Sequence, residues 1–236
     1  MAGQHNEIGT GLSPATDLAS LRKEYGEAGL GEADVDPDPL VQWQRWYDDA
    51  IAAAIHEPNA MIVATASTDG RPSARTVLLK GVGPDGFRFF TNTASRKGAE
   101  LAANPACALL FPWHPLERQV RVEGRAERLA DDVVADYFAS RPRGSQLGAW
   151  ASHQSQVVPG RAALADAQRA VEERFAGSEV PVPPEWGGYR VRPESFEFWQ
   201  GRTGRMHDRL RYRRATDSDS ASAGGQPDWV IERLAP

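Results

Sequence analysis

A mainly β fold with peripheral helices (α+β), built on an antiparallel barrel, is the class that this 236-residue sequence predicts. Three observations predict it. Arg118–Leu129 alternates strictly, with Val120, Val122, Gly124 and Ala126 on one side and Gln119, Arg121, Glu123 and Arg125 on the other. That is the period of a strand with one face on a core and one in water. The apolar runs are short and follow one another across tight turns such as Thr68-Asp69-Gly70 and Gly81–Gly86. The regular βαβ alternation and Gly-rich first turn of a doubly wound sheet are both missing.

Residues 1–39 read as a mobile N-terminal segment, polar and Gly-rich at first, with a short helix over Leu18–Tyr25 and an acidic, proline-broken linker from Gly31 to Pro39. Residues 40–236 read as one domain. Leu40–His56 is predicted helical because Trp43, Tyr47, Ala50, Ile51, Ala54 and Ile55 recur on one stripe. Strands follow at Ala60–Ser67, Ala74–Lys80 and Phe87–Thr91, then a helix over Ser95–Ala103 capped by Thr93 or Ser95 and stopped before Pro105. Ala106–Pro112 and Arg118–Leu129 are the next strands. Helices are expected at Asp131–Ser140, ended by Arg141-Pro142, and at Arg161–Phe175. Gly187–Arg192 and Ser195–Trp199 read as two strands, and Arg209–Arg213 with Asp228–Arg233 as a last pair. The Ser/Ala/Gly/Asp-rich stretch 215–227 between that pair reads as a flexible loop insertion.

Net charge is −5, from 27 basic and 32 acidic residues, which argues against a general nucleic-acid binder. No stretch reaches the length of a membrane span, and no secretory signal pattern opens the chain. The single cysteine, Cys107, lies in an apolar run and reads as a buried small hydrophobe in a reducing, cytoplasmic setting. The five histidines form no metal-type cluster, and P-loop, GxGxxG and G-x-S-x-G patterns are missing.

The chemistry-bearing stretches that remain are cationic. Arg96 and Lys97 stand at a helix N-terminus, where cations oppose the macrodipole and a phosphate would compensate them. Tyr137 and Arg141 share a helical face at i, i+4, with Ser145 just beyond, a plausible second phosphate grip. Phe198–Arg209 takes an aromatic pair across a Gly-flanked loop to Arg205, His207, Asp208 and Arg209. In an extended chain Arg205 and His207 would point the same way.

Taken together these stretches resemble the pyridoxamine (pyridoxine) 5′-phosphate oxidase family. The matching words are RTVLLK (75–80), FFTNTASRK (89–97), LLFPWHPLERQVRVEGRAERL (109–129), YFASRPRGSQLGAWASHQS (137–155), PPEWGGYRV (183–191), FWQGRTGRMHDR (198–209) and ERLAP (232–236), in family order. The resemblance implies an FMN-binding split β-barrel, a homodimer with FMN at the subunit interface. It implies cofactor contacts at Arg75, Thr76, Val77, Leu78, Leu79, Lys80, Phe90, Thr91, Arg96, Lys97, Gln119, Gln154, Ser155, Trp199 and Arg209. It implies substrate contacts at Lys80, Tyr137, Arg141, Ser145, Arg205 and His207, with Arg205 and His207 as the catalytic pair. Phe90 stands where the family commonly has tyrosine. The implied reaction oxidises pyridoxamine or pyridoxine 5′-phosphate to pyridoxal 5′-phosphate, a vitamin B6 step in which O2 becomes H2O2, with no nucleic acid, membrane or metal involved. Other split-barrel flavin reductases, or a protein that only stores FMN or pyridoxal phosphate, are the competing classes. One geometric tension stands: Arg75 and Lys80 differ by five, so a regular strand would aim them at opposite faces. Either a bulge lies between them or one reaches around a strand end.

Overall fold

The computed structural model describes residues 24–216 and 228–236. Among these residues nine strands form one antiparallel sheet: β1 (Ala60–Ala66), β2 (Pro72–Leu78), β3 (Gly81–Gly83), β4 (Gly86–Asn92), β5 (Ala106–Trp113), β6 (Arg118–Arg128), β7 (Trp186–Gln200), β8 (Asp208–Arg214) and β9 (Trp229–Arg233). Their order is β2-β1-β5-β6-β7-β4-β3, with β8 added to β7 and β9 to β8. The expected antiparallel split barrel is what the chain adopts. Among the described residues five α-helices surround it: α1 (Pro39–Ala52), α2 (Arg96–Ala103), α3 (Asp131–Ser140), α4 (Arg143–Ala151) and α5 (Arg161–Arg174).

β7 holds the two halves of the sheet together. Its first half pairs with β4 (Phe90 opposite Gly188), its second half with β8 (Trp199 opposite Arg209), and β6 runs along both. The pairing passes from Glu123–Ser195 to Gly124–Pro193, so Glu194 is the extra residue of a bulge. A bulge bends a strand and increases its twist. The expected pair of strands is therefore one strand: Pro193, which cannot donate to a ladder, occupies the bulge and does not end the strand. The expected Gly81–Gly86 turn holds the short β3, which turns back at Pro84-Asp85 onto β4. Gly86 has φ +116°, and a Cβ there would lie 2.0 Å from the Val191 carbonyl, so only glycine fits.

The alternation of β6 is borne out, with Val120 and Val122 fully buried. They join Phe87, Phe89, Phe111, Phe196 and Phe198 in a core closed by Trp43 and Trp46 of α1. α1 starts on Asp38, whose carboxylate accepts the Leu40 N–H at 2.8 Å, with Pro39 where no N–H is needed. The helix stops at Ala52, short of His56, and Ala54 turns left-handed at φ +52°. Its buried stripe is Trp43, Trp46 and Ala50, while Ile51 is 52% exposed. α4 was not expected. Pro142 and two glycines suggest a loop there, yet Pro142 sits at the N-cap, where a missing N–H costs nothing. On α5, Leu164 is exposed and only Phe175, at its C-cap, is fully buried.

Of the N-terminal segment, residues 1–23 lie outside the described residues, as do 217–227 of the expected loop insertion. The expected helix at 18–25 falls there except for Glu24 and Tyr25, which are not helical. Residues 24–38 run as a strap over β8 and β9. Leu30 and Val35 are buried, and the Tyr212 hydroxyl donates to the Asp36 carbonyl at 2.8 Å. Asp208 accepts from Leu30 N, from Arg202 at 3.1 Å and from Arg233 at 2.5 Å. Among the described residues no helix is long and apolar enough to cross a membrane.

Candidate functional site

At the start of α2 four cationic and acidic side chains interlock. Ser95 caps the helix, accepting the Gly98 N–H, so of the two expected caps it is the one used. The Arg96 N–H donates to the Ser155 hydroxyl, and Ser155 itself is left-handed at φ +74°. Lys97 is buried, 7% exposed, and its Nζ donates to Thr91 Oγ1 (2.9 Å) and Gln154 Oε1 (2.6 Å), with no carboxylate beside it. Burial, then the charge of Arg75, lowers its pKa to about 8. Arg75 on β2 donates to the Val63 carbonyl (3.0 Å), to Thr65 Oγ1 (2.6 Å) and to Ser73 Oγ.

Glu100, one helical turn after Arg96, ties this group together. Its carboxylate accepts from Thr65 (2.5 Å), Ser73 (2.6 Å) and Arg96 (2.8 Å), and Arg75 lies at 3.4 Å. Burial alone would raise its pKa, but these hydrogen bonds and charges hold it down at about 2. Three cations against one carboxylate leave a net charge of about +2, which suits a phosphate monoester of about −1.5 to −2.

The second cationic group lies at the end of α3. Tyr137 is on the helix, but Arg141 is its extended C-cap (ψ 146°) ahead of Pro142, so the two do not share a helical face as expected. Tyr137 stacks on Phe90 (centroids 3.8 Å apart, planes 12° apart), and Phe90 in turn lies on Gly188, where a Cβ would come within 2.8 Å of its ring. Arg141 lies over the Trp186 ring at 4.1 Å, with Phe138 at 5.6 Å. Its guanidinium has no hydrogen-bond or carboxylate partner among the described residues, and Nη1 is buried. Burial raises the Tyr137 pKa and lowers that of Arg141, each against the charged form.

Arg75, Thr76, Val77, Leu78, Lys80, Phe90, Thr91, Lys97, Tyr137, Arg141, Gln154 and Trp186 all line one cleft of about 500 Å³. Ser145 lines an adjoining one of about 250 Å³ that shares Arg141, Gln154 and Trp186. Both anion grips thus open into the same space. The Arg75–Lys80 tension resolves without a bulge: β2 ends at Leu78, and Lys80, beyond the strand, reaches the same cleft as Arg75. Leu79 instead turns into the core, 7% exposed, and does not line the cleft.

The remaining expected residues lie elsewhere. Gln119, Trp199 and Arg209 stand opposite one another across β6, β7 and β8, one row on one face of the sheet. Arg209 is held by Glu197 (2.8 Å), a 5% exposed carboxylate that also takes Arg121 at 2.5 Å. His207 packs beside Trp199 (centroids 4.7 Å) and Tyr25 (5.4 Å). Its Nδ1 accepts the Arg202 N–H at 3.1 Å, so in the neutral ring Nε2 carries the proton. His207 is not paired with Asp208. Arg205 is exposed in a short 3₁₀ turn at φ +65°, so the chain there is not extended and the simple alternation of Arg205 with His207 does not hold. None of these five residues lines the cleft.

Three contributors escaped the sequence reading. Glu100 was legible as an i, i+4 partner of Arg96; Trp186 and Glu197 carry no local signal beyond their strands. Cys107 is half-buried, packed against the core and not enclosed in it as expected, and burial pushes its thiol up to about 12.

A profile described as pyridoxamine 5′-phosphate oxidase matches residues 47–175, and one described as the pyridoxine 5′-phosphate oxidase C-terminal dimerisation region matches 186–236. A pyridoxine/pyridoxamine 5′-phosphate oxidase of a Nocardioides species is 62% identical over 220 residues, covering 93% of this chain and 98% of the relative. One from Salinispora arenicola is 57% identical, covering 92% and 96%. Among solved structures, PhzG from Burkholderia lata 383, in complex with tetrahydrophenazine-1-carboxylic acid, superposes with TM-score 0.79 at 30% identity, covering 89% of this chain and 99% of that one. A pyridoxamine 5′-phosphate oxidase-related, FMN-binding protein from Nostoc punctiforme shares the fold, with TM-score 0.63 at 17% identity over 82% of this chain and 97% of its own. Matched by these family profiles and relatives along nearly its whole length, the chain belongs to the pyridoxamine 5′-phosphate oxidase family.

Proposed function

We propose that this protein is an FMN-dependent oxidase that converts pyridoxamine 5′-phosphate, pyridoxine 5′-phosphate or both to pyridoxal 5′-phosphate, with O2 reduced to H2O2. The observation that carries the reading is one cleft holding two cations, Lys97 and Arg141, that lack a carboxylate partner. A flavin mononucleotide and a vitamin phosphate present two phosphate monoesters, one for each.

Bound there, FMN supplies the two-electron acceptor that the oxidation needs. The chain's own work is placement. Arg75, Arg96 and Lys97 hold the cofactor phosphate, and Thr76, Val77 and Leu78 line the space beside it. Lys80, Tyr137, Arg141 and Ser145 hold the substrate phosphate. Arg205 and His207 cover the pyridine ring, exclude water and fix the C4′ carbon, His207 presenting the Nε2 proton.

Those last residues, with Gln119, Trp199 and Arg209, are absent from the cleft that needs them. Gly188, beneath Phe90, is eleven residues from Trp199 on β7, about 36 Å of strand contour. A homodimer in which each copy lends this row to the other's cleft accounts for the separation, and the matched dimerisation region supports it.

The test mixes the purified protein with each vitamin phosphate under air and follows aldehyde and peroxide together. Stoichiometric appearance of both is expected. A protein that stays colourless and refuses added FMN defeats the proposal. The likeness to PhzG gives a second arm: reduced phenazine carboxylates are offered in competition, and a preference for them would move the assignment.

A further inference from the structure

Tyr137 on α3 and Arg141 at its extended C-cap each rest on the start of β7: Tyr137 through Phe90 onto Gly188, Arg141 directly on Trp186. β7 begins at Trp186, opposite Asn92, and this corner is well anchored. Trp186 N donates to the Pro183 carbonyl at 2.9 Å, Thr93 N to the Glu185 carbonyl at 2.7 Å, and the Asn92 amide to the Glu185 carboxylate at 3.2 Å.

Trp113 and Trp150 each donate their ring N–H to a backbone carbonyl, Pro58 and Pro181 respectively. Trp186, like Trp43 in the core, leaves its buried N–H without a partner among the described residues. A buried indole normally satisfies that group. Here the ring's orientation serves its face, which lies against a guanidinium that has no other polar contact among the described residues. Trp186 also lines both adjoining clefts, so the stack stands at their shared wall.

We propose that Trp186 is a positioning residue for the substrate's phosphate: its ring fixes the plane of the Arg141 guanidinium so that the N–H groups face the cleft before any anion arrives. This rests on the reading of Arg141 as the phosphate grip. A guanidinium with no carboxylate partner keeps its charge for the ligand, and an aromatic face holds it without neutralising it. Tryptophan is the best ring for this purpose, so the order Trp, Phe, Leu at this position is an order of declining hold.

The experiment is a double-mutant cycle on the FMN-loaded enzyme. KM and kcat for pyridoxamine 5′-phosphate are measured in Trp186→Phe, Trp186→Leu, Arg141→Ala and the paired variants. Equilibrium binding of pyridoxal 5′-phosphate, followed by its own absorbance, gives a readout independent of turnover. Trp186→Leu is expected to raise KM and the product Kd about three- to tenfold with kcat unchanged, Trp186→Phe less. In the Arg141→Ala background the same changes are expected to add less than about twofold, because their target is gone. Additive effects in the two backgrounds, or a fall in kcat at constant KM, overturn the proposal. If Trp186→Leu fails to fold, Trp186→Phe carries the cycle alone. An Arg141→Ala variant with unchanged KM defeats the phosphate-grip reading itself, and the proposal with it, a result distinct from additivity.

Discussion

Arg141 and Arg205 are both expected at the substrate, yet the chain builds them in opposite ways. Arg141 is half-buried at the C-cap of α3, stacked on Trp186, with Tyr137 on the helix before it. Arg205 is exposed, in a left-handed turn, with no hydrogen bond to its side chain among the described residues. The same contrast separates the two groups of site residues as a whole. The cleft side is pre-paired: Glu100 gathers Arg75 and Arg96, and Gln154 and Thr91 hold Lys97. The β6–β8 side is a row on an open sheet face, ending in a loop. One half presents cations already held in place around a cleft, while the other, in the proposed dimer, would face a second surface.

The largest effect that would break or sharpen this contrast is on turnover. Arg205→Ala is expected to lose about 10²- to 10³-fold in kcat while retaining flavin, if Arg205 covers the reacting ring as proposed. Steady-state turnover and flavin absorbance on the same sample check this, and near-normal turnover would remove the loop from the chemistry. Arg141→Ala, on the pre-built side, is expected to raise KM about ten- to a hundredfold, the worth of one charge-assisted phosphate contact. An unchanged KM would take Arg141 out of the site.

Lys97 gives a pH test of the same half. Its folded pKa, about 8, lies below the ordinary 10.5, so the penalty on the buried ammonium is present below about 8 and disappears as pH rises towards 10.5. The FMN-free protein should therefore gain stability across that window. FMN phosphate favours the ammonium, so binding takes up a proton and affinity should fall over the same range, by up to about tenfold per pH unit. Titrating FMN fluorescence quenching between about pH 7 and pH 10 measures the slope, and Lys97→Met should flatten it. A slope that persists in Lys97→Met would assign it to another group.

Hybrid dimers give the smallest effect and the most direct one. Arg141→Ala and Arg205→Ala chains, each defective on one side, are unfolded together, refolded and assayed. Random pairing restores one intact cleft in half of the dimers, so about a quarter of wild-type activity should return. No recovery would mean that both residues serve the same chain's cleft.

How much of this the sequence could carry follows from where each interaction is encoded. The strict alternation of Val120 and Val122 and the Ser95 cap are local patterns, and both were legible. The continuity of β7 was not, because Pro193 reads as a break until β7 is seen to bulge at Glu194 and keep its pairing with β6. α4 was hidden by glycines that cost little at a helix packed on α5. Site residues were legible as motif words, but the words do not say which of them meet. Arg75 and Lys80 converge because a strand ends between them, whereas Arg209, whose word is as strong, lies on another face. Trp186 and Glu197 act across strands far apart in the chain, so no window of sequence contains the pair that explains them.

Asp208 fastens the strap through Leu30, the 201–207 loop through Arg202 and the final strand through Arg233, with two carboxylate oxygens. Three segments moored to one acid cannot drift independently. Exchanging any one of them with a homologue's version sets the new piece against the two old ones, and grafts at this corner should succeed only when all three travel together.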